Sequence, residues 1–361
     1  MKRRVFLHRL ASTSVIGGTS AWASDSSVTK PETDAIRKIA DTFLHEHGIR
    51  GLSVAYGRNG KIAFEHGYGF ADAEGKEAVT PEHRFRIASI SKPITATAVM
   101  MAAEKGLLKL GDKVFGSQGV LGSQDEAGLA DITIDHLLTH TSGGWPNDKN
   151  DPMFKNPAMS HEELIAWTLA NQKPTHKPGE HHAYSNFGYC VLGRVLEKVT
   201  KLPYETLLTQ HVLSRCGITT MKIAGNTLAE RQANEVMYHD AKVDLPYRLQ
   251  VARMDSHGGW ISTASDLVRF ASQLPKTLNE SSIRTMTTPT EAGKNYARGW
   301  AVNSVPNWWH SGSLPGTSTI MVHTARGLCW AGLLNGRTEG LGGALDKLMW
   351  QIGRQVKMWA L

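Results

Sequence analysis

Strand-like sequence sits at the two ends of this chain, and a long helical stretch lies between them. Leu52-Ser53-Val54-Ala55-Tyr56 reads as a strand, Arg58-Asn59-Gly60 turns the chain, and Lys61-Ile62-Ala63-Phe64 returns as a second strand. Strand signals then stop until Gly299–Asn303, Thr317–His323 and Leu328–Asn335. Between them a helix is expected from Ser89 to Lys105. Further helical segments at Ile134–Leu138, His161–Asn171 and Gly188–Thr200 are joined by Pro- and Gly-rich loops. Ile36, Ile39, Ala40 and Phe43 recur at helical spacing and predict a helix over 31–47 stopped by Gly48, and a last helix is expected from Gly343 to Met358. This order lacks the strand–helix alternation of a parallel sheet. It predicts an α+β fold: an antiparallel sheet assembled from both chain ends, flanked by the N- and C-terminal helices, with a mainly helical lobe inserted. The sheet lobe is expected at about 34–84 and 252–361, the helical lobe at about 85–251, and the two form one domain over 34–361.

The first residues stand apart from that domain. Lys2, Arg3 and Arg4 precede Val5-Phe6-Leu7 and a mildly apolar, Gly-containing stretch that ends at Ala21-Trp22-Ala23. This reads as a cleaved signal peptide over 1–23 followed by a linker over 24–33. Arg3-Arg4 before Val5-Phe6-Leu7 suits twin-arginine export, with an ordinary secretory signal as the alternative. No apolar run of the ~20 residues a membrane helix needs follows it, so an exported protein, periplasmic or secreted, with no integral membrane segment is expected. The chain has 40 Lys and Arg against 33 Asp and Glu, but four of the basic residues lie in the signal, leaving 36 against 33. That near balance, with no basic run interleaved with aromatics, argues against a nucleic-acid partner. Cys190, Cys216 and Cys329 sit among apolar neighbours and read as buried thiols, not a disulfide framework. The 16 histidines include no His-Glu-x-x-His, while His45 and His47 diverge on a helix and His181 and His182 lie in a loop. No metal and no cofactor is expected, and oligomeric state is not legible.

Three short motifs carry chemistry. Ser89-Ile90-Ser91-Lys92 is Ser-x-x-Lys at a helix start, and positions i and i+3 share a helix face. A serine hydroxyl becomes a nucleophile when a nearby base takes its proton, and a desolvated neutral lysine can do so. Alone the motif is weak, since Ser27-Val28-Thr29-Lys30 matches it in a linker. Tyr184-Ser185-Asn186 supplies a phenol that could relay protons if an adjacent ammonium lowered its pKa, and an amide that could orient the lysine. His310-Ser311-Gly312-Ser313 falls just before an expected strand. There Gly312 would let substrate lie close to the strand edge, and the Ser313 N–H could complete an oxyanion hole with that of Ser89. His257-Gly258-Gly259 also matches His-x-Gly, but it is followed by Trp260-Ile261-Ser262-Thr263 leading into a helix and is set aside.

Ser-x-x-Lys, Tyr-x-Asn and His-x-Gly in this order resemble the penicillin-recognising serine hydrolases, and within them the class C β-lactamase branch with its D,D-carboxypeptidases, D-amino-acid peptidases and carboxylesterases. Phe85-Arg86-Ile87-Ala88-Ser89, Leu137 to Gly144 and Gly258 to Ala264 add to the likeness, which spans about Ala35 to Asn335. The resemblance implies a two-lobed catalytic domain with Ser89 as acylated nucleophile, Lys92 as its activating partner and Tyr184 as general base and acid. It makes Asn186 a positioning group and His310, Gly312 and Ser313 the wall beside the substrate; His140 to Gly144 is read as structural. The class C enzymes carry Lys where His310 stands, and an unperturbed His is mostly neutral at pH 7. Weaker capture of a β-lactam carboxylate follows. The expected function is hydrolysis of an amide or ester through a Ser89 acyl-enzyme, the substrate being a D-amino-acid peptide or amide, a carboxylic ester or a β-lactam. The alternative is a penicillin-binding receptor or sensor that is acylated without efficient turnover. An α/β-hydrolase mechanism would need Gly-x-Ser-x-Gly, which is absent. Trp145, Trp260, Trp300, Trp308 and Trp309 either line an apolar acyl pocket or belong to the core, and Asn335 is a weaker site candidate.

Overall fold

Asn59 and Gly60 both adopt positive φ, 54° and 82°, the geometry of a tight two-residue hairpin turn between β1 (Gly51–Arg58) and β2 (Lys61–Gly69). The computed structural model describes residues 28–122, 128–241 and 244–359. The signal peptide expected over 1–23 and the first part of the expected linker, 24–27, lie outside the described residues, and residues 30–33 belong to the helix Lys30–His47.

The remaining strands follow in chain order as β3 (Phe85–Arg86), β4 (Lys222–Ile223), β5 (Trp260–Ser262), β6 (Ala301–Val302), β7 (Trp308–Leu314), β8 (Thr317–His323) and β9 (Cys329–Leu334). Six of them form an antiparallel sheet in the order β2-β1-β9-β8-β7-β6, so the chain ends meet where Ala55 of β1 opposes Ala331 of β9. β3, β5 and β4 make a small second sheet with β5 at its centre.

Helices cover both faces of the main sheet, which is why β1 is buried from Gly51 to Gly57 with no alternation. Leu52, Val54 and Tyr56 pack with Ile36 and Phe43 of the helix Lys30–His47 and with Leu345 and Met349 of the helix Leu341–Gly353. Ala55 and Leu333 belong to the larger core, with Leu267 and Phe270 of the helix Ala264–Thr277. Burying such a Leu, Val or Phe fully is worth about 1.5–3 kcal/mol each. The helix Ser91–Glu104 is buried from Ser91 to Ala102, as expected of one that is apolar all round and enclosed by neighbours.

Several expectations need adjustment. His310 to Ser313 lie within β7, not before a strand; its inward–outward alternation is hard to read because the inward face carries His310 and Gly312 and the outward face carries Trp309. Trp260–Ser262 is itself a short strand before its helix. The last helix ends at Gly353, short of Met358. Trp145, Trp260, Trp300 and Trp308 are core residues, and Trp309 packs against the cluster under the terminal helices. Asn335 is structural: its Oδ1 accepts from the Gly51 N–H at 2.7 Å and its Nδ2 donates to the Phe70 carbonyl at 3.1 Å. The three cysteines are buried and unpaired.

Candidate active site

Ser89 sits in a single 3₁₀ turn, Ala88–Ile90, that runs directly into the helix Ser91–Glu104. Ala88 holds φ at 48°, a left-handed value that costs a non-glycine residue about 1–3 kcal/mol and persists only where its surroundings enforce it. Here they do. From β8 the Thr317 hydroxyl donates to the Arg86 carbonyl at 2.9 Å and the Thr319 hydroxyl to the Ile87 carbonyl at 3.0 Å, clamping the approach to Ser89. Gly312 of β7 lies against the same turn: a Cβ there would overlap the Ile87 carbonyl oxygen and the Thr319 hydroxyl and sit 3.1 Å from Ala88 Cβ. Glycine is needed at 312 for this packing, a reason different from the substrate approach expected from sequence.

One turn on, the Lys92 side chain is fully buried and its Nζ donates to Asn186 Oδ1 at 2.8 Å and to the His257 carbonyl at 2.9 Å, with Ser89 Oγ in hydrogen-bond reach at 3.2 Å. Burial pushes its pKa well below the ordinary lysine value, and Asp151 partly opposes that shift. The Nζ also lies over the Tyr184 ring, 4.7 Å from its centroid.

Tyr184 and Asn186 enter together because Ser185 caps the helix Asn186–Thr200, its hydroxyl accepting from the Gly188 N–H at 3.1 Å. His140, fully buried with φ 58°, supports that loop: its Nδ1 accepts from the Ser185 N–H at 3.1 Å and its ring lies 4.2 Å from that of Tyr184. The 140–144 segment therefore shapes the loop from beneath. The Tyr184 hydroxyl feels the Ser89 hydroxyl but makes no well-formed hydrogen bond. Burial holds the phenol above its ordinary pKa; the lowering expected from a neighbouring ammonium does not prevail.

His310 is buried, and both ring nitrogens are engaged. Nδ1 contacts the Ser311 carbonyl at 2.6 Å, which can only accept, so Nδ1 carries the proton; Nε2 then accepts from the Tyr296 hydroxyl at 3.0 Å. Burial first, and the Lys92 charge second, push its pKa down to about 3. The position is uncharged at neutral pH.

Ser89, Asn186 and Ser313 line one cavity of about 400 Å³ with Asn147, Phe154, Leu249, His257, Leu314 and Arg337. Beside it, β7 has no second strand partner among the described residues from His310 to Leu314, since β6 pairs only with Trp308 and Trp309. Roomier cavities of about 820, 590 and 450 Å³ lie elsewhere, around His136 and Lys177, around Ile165 and Arg194 and around Glu65 and Ser265, but none is lined by a serine hydrogen-bonded to a buried lysine. Chemistry, not volume, marks the site. Lys92 and Tyr184 lie behind the cavity wall. Sequence reasoning missed Asp151, whose Oδ2 accepts from Asn186 Nδ2 at 2.8 Å, and Tyr296; it also set aside His257, which serves through its backbone carbonyl. Only Asp151 had a local signal, the Asp-Pro pair that starts the helix Pro152–Lys155.

The family model described as Beta-lactamase matches residues 36–354. Protein flp of Staphylococcus aureus (strain N315) is 27% identical over 315 residues, covering 82% of this chain and 61% of that protein, so the chain spans about three-fifths of that relative. Penicillin-binding protein 4* of Bacillus subtilis (strain 168) is likewise 27% identical, over 80% of this chain and 68% of that protein. Among solved structures, the D-amino acid amidase of Ochrobactrum anthropi SV3 complexed with L-phenylalanine amide superposes with a TM-score of 0.76 at 21% identity, over 91% of this chain and 99% of that one. The octameric penicillin-binding protein homologue of Pyrococcus abyssi gives 0.73 at 24% identity, over 89% and 77%. With the match running through both lobes and every element that carries Ser89, Lys92, Tyr184 and His310, the chain belongs to the Beta-lactamase family.

Proposed function

We propose that this chain is a serine hydrolase that cleaves an amide or ester through a Ser89 acyl-enzyme. The observation that carries the reading is the Lys92 amine, buried, with its pKa pushed well below the ordinary lysine value by that burial, and 3.2 Å from Ser89 Oγ. Ser89 Oγ attacks the substrate carbonyl carbon as its proton passes to Lys92. The backbone N–H groups of Ser89 and Ser313 are the donors for the oxyanion. Collapse breaks the bond to the leaving amine or alcohol, which takes a proton through the neutral Tyr184 hydroxyl, and water then releases the acid by the reverse relay. Asn186 holds Lys92, while His310 and Gly312 shape the wall beside the substrate.

The uncharged His310 bears on substrate. His310 supplies no permanent cation to capture a carboxylate, which leaves that task to Arg337 in the same cavity and favours substrates without a carboxylate, D-amino-acid amides and esters, at the β7 wall. Residues 34–361 make one catalytic domain in this reading, and residues 1–23 direct export to the periplasm or medium; a mature N-terminus at Ser24 on protein collected outside the cytoplasm is the expected result, and an intact Met1 start there would count against it. No helix among the described residues is long and apolar enough to cross a membrane.

The test is time-resolved intact mass with D-phenylalanine amide, a p-nitrophenyl ester and benzylpenicillin, with product assayed in the same tube and Ser89→Ala alongside. Ser89-dependent turnover of the amide or ester is expected. An adduct that forms once and persists would assign the receptor reading instead, and unchanged turnover in Ser89→Ala would sink the mechanism.

A further inference from the structure

The proton inventory around Lys92 has a feature the three motifs do not contain. A neutral amine has two N–H groups and one lone pair. Two of the three groups around Lys92 Nζ can only accept: Asn186 Oδ1 at 2.8 Å and the His257 carbonyl at 2.9 Å. Both N–H groups are consumed there, and the lone pair is left for the Ser89 hydroxyl at 3.2 Å. This holds only while Asn186 presents its oxygen to Lys92. Were the amide to flip, its NH₂ would donate to the lone pair and occupy the base.

Asp151 decides the flip. It is almost wholly buried, its Oδ1 accepts from the Met153 N–H at 2.9 Å, and its Oδ2 accepts from Asn186 Nδ2 at 2.8 Å. A flipped Asn186 would set its carbonyl oxygen against that carboxylate, two acceptors with no proton between them, which is costly in a buried site. We propose that Asp151 is a positioning residue that locks the Asn186 amide so that the Lys92 lone pair faces Ser89. It touches neither the cavity nor Ser89, and it acts through Asn186 across 35 positions of sequence. This rests on the acyl-enzyme reading above.

The groups whose charge or polarity reaches Asp151 are Lys92, Asp148, Tyr184 and Cys190; those around Lys92 are Asp151, Tyr184, Tyr189, His140, His257 and His310. Burial raises the Asp151 carboxyl to about 6, so it is mainly ionised at neutral pH, and its charge in turn favours a protonated Lys92.

The experiment measures the rate at which a fluorophosphonate probe labels Ser89 from pH 5 to 9, with intact mass as readout and circular dichroism as the fold control. In this reaction Ser89 Oγ bonds to phosphorus as fluoride leaves and Lys92 takes the proton. Asp151→Leu removes the acceptor and should slow labelling at least tenfold while staying folded. Asp151→Asn loses the charge and one of the two acceptor oxygens, and its acid limb should move to lower pH because Lys92 loses an anion. An acid limb that superimposes on wild type in Asp151→Asn overturns the proposal whatever Asp151→Leu does. So does folded Asp151→Leu that labels within threefold of wild type. Wild-type protein that takes no label at Ser89 overturns the acyl-enzyme reading itself, and that failure is recognised because it precedes any comparison of variants.

Discussion

Gly312→Ala tests how the nucleophile turn is held. The added methyl would overlap the Ile87 carbonyl oxygen, a backbone atom, and the Thr319 hydroxyl that donates to that carbonyl at 3.0 Å. Neither is the free end of a flexible side chain. β7 must therefore move off the turn, or the hydrogen bond must break. Overpacking of this kind costs about 1–3 kcal/mol and a broken buried hydrogen bond about 1 kcal/mol more, so the hypothesis is a loss of about 2–4 kcal/mol of unfolding free energy. Activity should fall further than stability alone explains. Ala88 is held at φ 48° by this contact, and a ~1 Å misplacement of a reacting group costs about 10²-fold in rate. Urea unfolding gives the first quantity, and Ser89 labelling at a temperature where the variant is fully folded gives the second. Gly312→Ala with wild-type stability and wild-type labelling would refute the claim that this glycine exists to let strand and turn touch.

Lys92→Met should lower acyl-enzyme formation by orders of magnitude. Its net stability change should stay within about 2 kcal/mol, because relief of a buried amine offsets the donors lost by Asn186 and His257; a labelling rate near wild type would exclude Lys92 as the base. Stability should also depend on acid pH through His310. Its folded pKa of about 3 lies below the ordinary value of 6.5, so the unfolded chain binds the proton first. That contribution is intact above pH 6.5 and is lost as pH falls from there toward 3. His140 and His257 are shifted the same way, while Asp151, raised to about 6, works in the opposite sense. Urea unfolding of His310→Gln should show a shallower loss between pH 6.5 and 4 than wild type, and parallel curves would mean His310 is not buried as a neutral ring.

What the sequence determined by itself is whatever depends on short-range periodicity. The helices Ile134–Leu138 and His161–Asn171 and the strand Thr317–His323 have the bounds read from pattern alone, because apolar spacing and caps act within a few residues. Ser89 and Lys92 share a face for the same reason, and the separation of strands to the chain ends already demanded a sheet closed by both termini. Tertiary structure decided the rest, because charge state and steric need come from groups brought together by folding. His310 is neutral because β7 buries it against Tyr296, Tyr184 is held above its ordinary pKa by burial, and Gly312 answers to Ile87 from a distant part of the chain. Asp151 reads as a helix start in sequence; only the fold sets its carboxylate 2.8 Å from the amide that directs Lys92.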